Sequence, residues 1–250
     1  MKNITNIFYA PDENFFKDKV HIPQDESHHM IRVLRMDKGD QFVVTNGNGR
    51  AENAIILKAD PKKTLAEIID NEEELPPLSD ELPVKVAIGI GTIRPKRFER
   101  LLSPISQLGI NEIIPLICRY SEPSHTKRLA SDQYHKRLDK MVRNATKGSL
   151  RINFPTLYKP VNFLDALEDW ADRRIFFADP EGIPTLPVFK NEKKKDILMI
   201  IGPEGGFSHR EVETMRDMNA IPISLGRTRL RTENAAIAMM VKTLNGLGMI

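Results

Sequence analysis

Five consecutive apolar residues, Ile197 to Ile201, run directly into Gly202-Pro203-Glu204-Gly205-Gly206, and this junction limits the fold more than any other stretch of the chain. The apolar run has the length of a buried strand. The next five residues cannot extend it, because proline lacks a backbone donor and glycines favour positive φ. Ser208 followed by Glu211 is a capping box, which opens a helix. The loop is therefore a strand-to-helix corner whose main-chain donors and carbonyls are almost bare of side chains, so a ligand can come close to the backbone. Phe207 and Ser208 stand where a phosphate loop needs Lys and Ser/Thr, and the dinucleotide fingerprint is absent. A second loop follows downstream. It runs from Ser224-Leu225-Gly226 to Leu230-Arg231-Thr232-Glu233-Asn234-Ala235-Ala236 and opens a last helix rich in Ala and Met.

The corner sits in a repeating pattern. Strands are predicted at 84–90, 112–118, 175–178 and 197–201, with helices at 95–108 and 131–147 and a short one from an Asn162 cap to Asp172. Strands separated by helical stretches argue a largely parallel sheet covered on both faces. Ligands of such sheets bind beyond the carboxyl ends of the strands, where Ile201-Gly202 and Ala178-Asp179 lie. The first 72 residues read instead as a small β domain, with 42–45, an Asn46-Gly47-Asn48-Gly49 turn and 55–57 forming a hairpin. The acidic, proline-rich run around 73–83 reads as a linker, which leaves 84–250 as the second domain.

A net charge of +3 does not argue for a polyanionic partner, but its distribution does. Residues 94–151 carry thirteen basic residues against five acidic ones, a local excess of +8. On the helix from Ser131, Tyr134, Leu138, Met141, Val142 and Ala145 make a core stripe, while Lys136, Lys140, Arg143 and Lys147 make a basic one. Like charges at that spacing repel, and phosphates would relieve the repulsion. The bland alternative is a solvated basic face. In His28-His29-Met30-Ile31-Arg32-Val33-Leu34-Arg35, the competing reading buries Met30, Val33 and Leu34 and leaves both arginines solvated.

The paired motifs GPEGG-FS and LG-x-x-x-LR-T-E-x-A, closing on an Ala- and Met-rich helix, resemble the knotted SPOUT methyltransferases, and among them the 16S ribosomal RNA uridine-N3 methyltransferase family. The resemblance implies an α/β domain with a mostly parallel sheet and a C-terminal trefoil knot, preceded by a PUA-like β-barrel. It implies S-adenosyl-L-methionine held by Ala178, Ile201, Gly202, Pro203, Glu204, Gly205, Gly206, Leu225, Gly226, Leu230 and Ala235. Arg231 would hold a uracil carbonyl or a phosphate, and Glu233 would accept a proton or fix Arg231; as a bland alternative, Glu233 is an ordinary acid at a helix N-terminus. His29, Arg32, Arg35, Arg94, Lys136, Lys140, Arg143, Lys147 and Arg151 would meet RNA. The partners would be 16S rRNA or the small ribosomal subunit, and a second copy of the chain in a homodimer. Pro104, Gln107 and Gly148 depart from the family's usual Lys, Glu and Gln, and Asn234 stands in its usual E-T-A.

No apolar run approaches the roughly 18 residues of a membrane span, and the first residues lack the pattern of a signal peptide. The single Cys118 excludes an intrachain disulfide and a cysteine-cluster metal site, which fits a reducing cytoplasm. No metal is expected. Three functions remain open: uridine-N3 methylation of 16S rRNA, methylation of another RNA, and a non-catalytic RNA-binding or ribosome-assembly protein that keeps the fold.

Overall fold

The computed structural model describes residues 6–69, 82, 84–183 and 195–249. The chain divides into two compact units, one made of Met1–Asp80 with Thr146–Phe154 and the other of Glu81–Ala145 with Pro155–Ile250.

The first unit is a curled six-stranded sheet. Its strands are β1 (Ile7–Tyr9), β2 (Phe15–Phe16), β3 (Lys19–His21), β4 (Gln41–Thr45), β5 (Ala51–Lys58) and β6 (Leu65–Ile68), in the order β1-β4-β5-β6-β3-β2. The Asn-Gly hairpin forms where expected, with Thr45 opposite Ala51 and both Gly47 and Gly49 at positive φ. Phe8, Phe42, Val44 and Ile56 fill the interior. A short helix α1 (Gln24–His28) runs on into a wide π-type turn, His29–Val33. Of the apolar trio in the competing reading only Met30 is buried; Val33 and Leu34 are 59% and 40% exposed. The wide turn explains this, because it breaks the helical spacing that would have put the three on one face.

The second unit carries a parallel seven-stranded sheet. It contains β7 (Val86–Gly91), β8 (Glu112–Ile117), β9 (Thr156–Leu157), β10 (Val161–Asn162), β11 (Arg174–Ile183), β12 (Ile197–Ile201) and β13 (Ile221–Ile223). The order is β10-β8-β7-β12-β11-β13, with β9 paired to β8. Around it lie α2 (Pro95–Gln107), α3 (Pro123–Ala130), α4 (Asp132–Gly148), α5 (Phe163–Asp169), α6 (His209–Asp217) and α7 (Thr232–Leu247). All five residues of β12 are buried, with β7 on one side and β11 on the other, as a continuous apolar run requires. One apolar cluster joins Ile88, Ile90, Leu101, Met199, Met239 and Met240 beneath α2 and α7. A second joins Ile114, Phe163, Trp170, Phe177 and Met215 on the opposite face. The predicted stripe of α4 faces inward, with Tyr134, Leu138, Val142 and Ala145 buried and Met141 packed against the core.

Some boundaries differ. β11 runs to Ile183 through an irregularity after Ala178, and α5 ends at Asp169, short of Asp172. Asn162 caps α5 by accepting from the Leu164 amide at 2.9 Å. The segment Thr146–Phe154, assigned from sequence to the second domain, belongs to the first unit; Phe154 donates its amide to Gly47 O, and Thr45 Oγ1 reaches Ile152 O. The linker reading of 73–83 lies outside the described residues apart from Leu82. No helix among the described residues is long and apolar enough to cross a membrane.

Candidate functional site

The strand-to-helix corner forms as its residues dictate. Gly202 ends β12, Gly206 donates its amide to Pro203 O at 2.9 Å, and Gly206 sits at φ +77°. Ser208 then caps α6: its Oγ accepts from the Glu211 amide, and Glu211 Oε2 accepts from the Ser208 amide at 2.7 Å. Glu211 is buried, and its other oxygen accepts from the Arg119 amide at 2.8 Å. One carboxylate thus ties the helix start to the loop after β8. A Cβ on Gly205 would lie 2.9 Å from Tyr120 Cβ, so Tyr120 flanks the corner.

The second loop is fastened at both ends. Ser224 donates its amide to Ile183 O at 3.1 Å and accepts from Lys242 Nζ at 2.9 Å. At the far end Thr232 Oγ1 donates to Gly202 O at 3.1 Å, which joins the first turn of α7 to the glycine-rich corner. The two motifs that lie apart in sequence therefore meet at the carboxyl end of β12. Leu225 and Leu230 pack partly buried against the core, Ala235 is buried, and Gly226 is exposed at φ +139° with no atom within 4 Å of where its Cβ would stand. Ala178 is half-buried on β11, paired with Ile223. Gly206 and Gly226 leave open space where a Cβ would stand, beside the partly buried Leu225 and Leu230.

Arg231 and Glu233 line one pocket of about 480 Å³ between α2 and α7. Arg231 is the N-cap residue of α7, is exposed, and has no side-chain partner among the described residues. Glu233 has a side chain only 9% exposed, and its Oε2 has no hydrogen-bond partner among the described residues. Of the two roles expected of Glu233, fixing Arg231 is supported by no contact among the described residues. Its Oε1 lies 3.9 Å from Arg97 Nε, and Arg97 also donates through Nη1 to Glu204 Oε1. Arg97 thus bridges the glycine-rich corner and the last helix, with Arg94 Nε 4.0 Å from the same Glu204. Sequence reasoning counted Arg97 only as part of a basic stretch. Its signal was the i+3 spacing from Arg94 on the first turn after β7. Gly91 was also missed. A Cβ there would come within 2.3 Å of Pro203 N, so β7 and the corner touch backbone to backbone. A glycine inside an apolar strand was the available sign.

The proposed RNA contacts divide. His29, Arg32, Arg35, Arg94, Lys136 and Lys140 are exposed. Arg143 is half-buried and pairs with Asp139 at 3.2 Å, so the stripe on α4 is not wholly basic. Lys147 pairs with Glu26, both side chains about nine-tenths buried, and Glu26 also accepts from the Tyr9 amide. Arg151 is 2% exposed and so is built into the protein interior, out of reach of a surface phosphate. Both corrections share one cause: the chain after Ala145 folds into the first unit and buries these cations there. Among the described residues no cluster of His, Cys, Asp and Glu has metal-binding geometry.

Comparison with known proteins accords with this arrangement. The model of the RNA methyltransferase domain matches residues 80–243, and that of the RNA methyltransferase PUA domain matches residues 22–69. The ribosomal RNA small subunit methyltransferase E of Bacillus subtilis is 25% identical over 224 residues, covering 86% of each chain. A probable rRNA methyltransferase from Porphyromonas gingivalis superposes with a TM-score of 0.80 at 28% identity, covering 97% of this chain and 98% of that one. The Neisseria gonorrhoeae ribosomal RNA small subunit methyltransferase E, solved with S-adenosyl methionine bound, superposes with a TM-score of 0.81 at 22% identity, covering 96% and 97%. With a family model spanning most of its second unit, an α/β parallel sheet and a PUA-type first unit, the chain belongs to the RNA methyltransferase family.

Proposed function

We propose that the protein transfers a methyl group from S-adenosyl-L-methionine to N3 of a uridine in 16S ribosomal RNA, working in the cytoplasm as a homodimer on rRNA or the small ribosomal subunit. The observation that carries this reading is the hydrogen bond from Thr232 Oγ1 to Gly202 O, which brings the GPEGG and LRTE motifs to one strand end. The cofactor would lie against Ile201 to Gly206, Leu225, Gly226, Leu230 and Ala235, with Ala178 beside it. The passage of α7 back across β7 and β12 after β13 supports the trefoil knot that the resemblance implies.

S-adenosyl-L-methionine, when bound, supplies an electrophilic methyl group on a sulfonium. The chain's own residues must place the acceptor nitrogen and manage its proton. Uridine N3 is protonated at neutral pH and becomes nucleophilic as the proton leaves. Glu233 Oε2, buried and without a hydrogen-bond partner among the described residues, is suited to accept that proton, and Arg231 is suited to stabilise charge developing on a uracil oxygen. Exposed His29, Arg32 and Arg35 of the first unit are available to the RNA backbone. The substitutions at Pro104, Gln107 and Gly148 favour a second reading, a binding protein without catalysis.

The test is transfer of labelled methyl from S-adenosyl-L-methionine to small subunits isolated from a strain lacking the gene. The proposal predicts label in 3-methyluridine with the wild-type protein and its loss with Arg231→Ala. Label in another nucleoside would reject the N3 assignment, and cofactor binding without any transfer would favour the second reading.

A further inference from the structure

The pocket between α2 and α7 holds more than the proposed catalytic pair. Arg100 from α2 and Arg229 from the loop before α7 line the same space as Arg231, together with the buried Glu233. Arg100 and Arg229 are exposed, and no ion pair engages either among the described residues. Three cations against the single carboxylate of Glu233 leave a net positive charge, which an anionic ligand neutralises. Leu101 and Ile237 supply apolar wall, and Asn234 adds an amide. At about 480 Å³ the space matches a nucleotide better than a bare phosphate.

The carboxylate gives the pocket direction. Arg97 stands 3.9 Å from Glu233 Oε1, which leaves Oε2 as a buried acceptor with no donor among the described residues. A buried acceptor of this kind costs stability unless a ligand satisfies it. A ligand with phosphate on one side and an N–H on the other would answer both the arginines and this oxygen.

We propose that this pocket is a ribonucleotide-reading cleft: Arg100 and Arg229 hold the phosphodiesters flanking one uridine, while Glu233 Oε2 accepts its N3–H. This deepens the proposed function and rests on it. The chemistry also separates substrate from product. Uridine presents an N–H to Glu233, whereas 3-methyluridine presents a methyl group and leaves the oxygen unsatisfied. Cytidine presents a lone pair at N3 and is repelled.

The test uses the full-length protein and short single-stranded RNA oligomers that differ only in one central base: uridine, 3-methyluridine or cytidine. Binding is measured across a range of salt concentrations, with calorimetry of S-adenosyl-L-methionine run in parallel. Arg100→Ala and Arg229→Ala should each weaken the uridine oligomer about tenfold and lower the salt slope by about one, while cofactor binding stays unchanged. Wild type should prefer uridine over 3-methyluridine by at least about tenfold. Glu233→Gln, which keeps the shape but can donate as well as accept, should raise the affinity for the cytidine oligomer toward that for uridine. Unchanged affinity and salt slope in both arginine variants, or equal binding of uridine and 3-methyluridine by wild type, overturns the proposal. Loss of cofactor binding by wild type would instead refute the methyltransferase reading, and the RNA isotherms would still decide the cleft.

Discussion

Replacing Gly91 with alanine tests the joint between β7 and the glycine-rich corner. The added Cβ would lie 2.3 Å from Pro203 N, 2.4 Å from Pro203 Cδ and 2.9 Å from Gly202 C. All three atoms belong to backbone or to a ring fused to it, so no side-chain rotation relieves the clash. Ordinary contact requires the corner to retreat by about 1 Å, and overpacking of this kind costs about 1–3 kcal/mol. In a chain of this length each kcal/mol lowers Tm by about 2–4 °C. The retreat also moves the main-chain groups assigned to the cofactor, so its affinity should fall further than stability alone explains. Differential scanning calorimetry gives the first quantity and isothermal titration with S-adenosyl-L-methionine the second. Gly148→Ala is the control, because nothing lies within 4 Å of its Cβ position at the end of α4 and alanine suits a helix better. Wild-type Tm and wild-type cofactor affinity in Gly91→Ala would refute the close approach and the corner's role with it.

Three further outcomes are expected. Ser208→Ala removes the side-chain acceptor for the Glu211 amide and should cost about 1 kcal/mol in denaturant unfolding, read by the fluorescence of the single, buried Trp170. Thr232→Val removes the bond to Gly202 O and should cost about 0.5–1.5 kcal/mol, with a loss of cofactor affinity that a remote substitution of equal stability cost does not show. Burial, and secondarily the Glu211 carboxylate, push the Cys118 thiol well above its ordinary range, so it should resist alkylation in the folded protein and react on unfolding. Because the folded value is the higher one, its contribution to stability is complete below about pH 8.5 and declines as pH rises above that. Cys118→Ala should flatten the fall of Tm between mildly and strongly alkaline pH.

The sheet and its site were legible where local chemistry leaves one solution. Ile197 to Ile201 could only be a buried strand, Gly202 to Gly206 could only break it, and Ser208 with Glu211 could only open a helix. The core stripe of α4 followed from spacing alone. What failed were inferences about charge. Lys147 and Arg151 look like their neighbours Lys140 and Arg143 in sequence, and their burial depends on Thr146–Phe154 joining the first unit, a tertiary event with no local signature. Arg97 was hidden for the same reason. Its two carboxylate partners, Glu204 and Glu233, are more than a hundred residues away along the chain and meet it only through the packing of α2 against β12 and α7. The competing reading that buried Val33 and Leu34 with Met30 rested on a helical spacing, which the π-type turn breaks.

The most direct test of the account is the nucleoside composition of 16S rRNA from cells with and without the gene, read by mass spectrometry. The account predicts that 3-methyluridine disappears on deletion and returns with the wild-type gene but not with Arg231→Ala. A modification profile unchanged by deletion would contradict it.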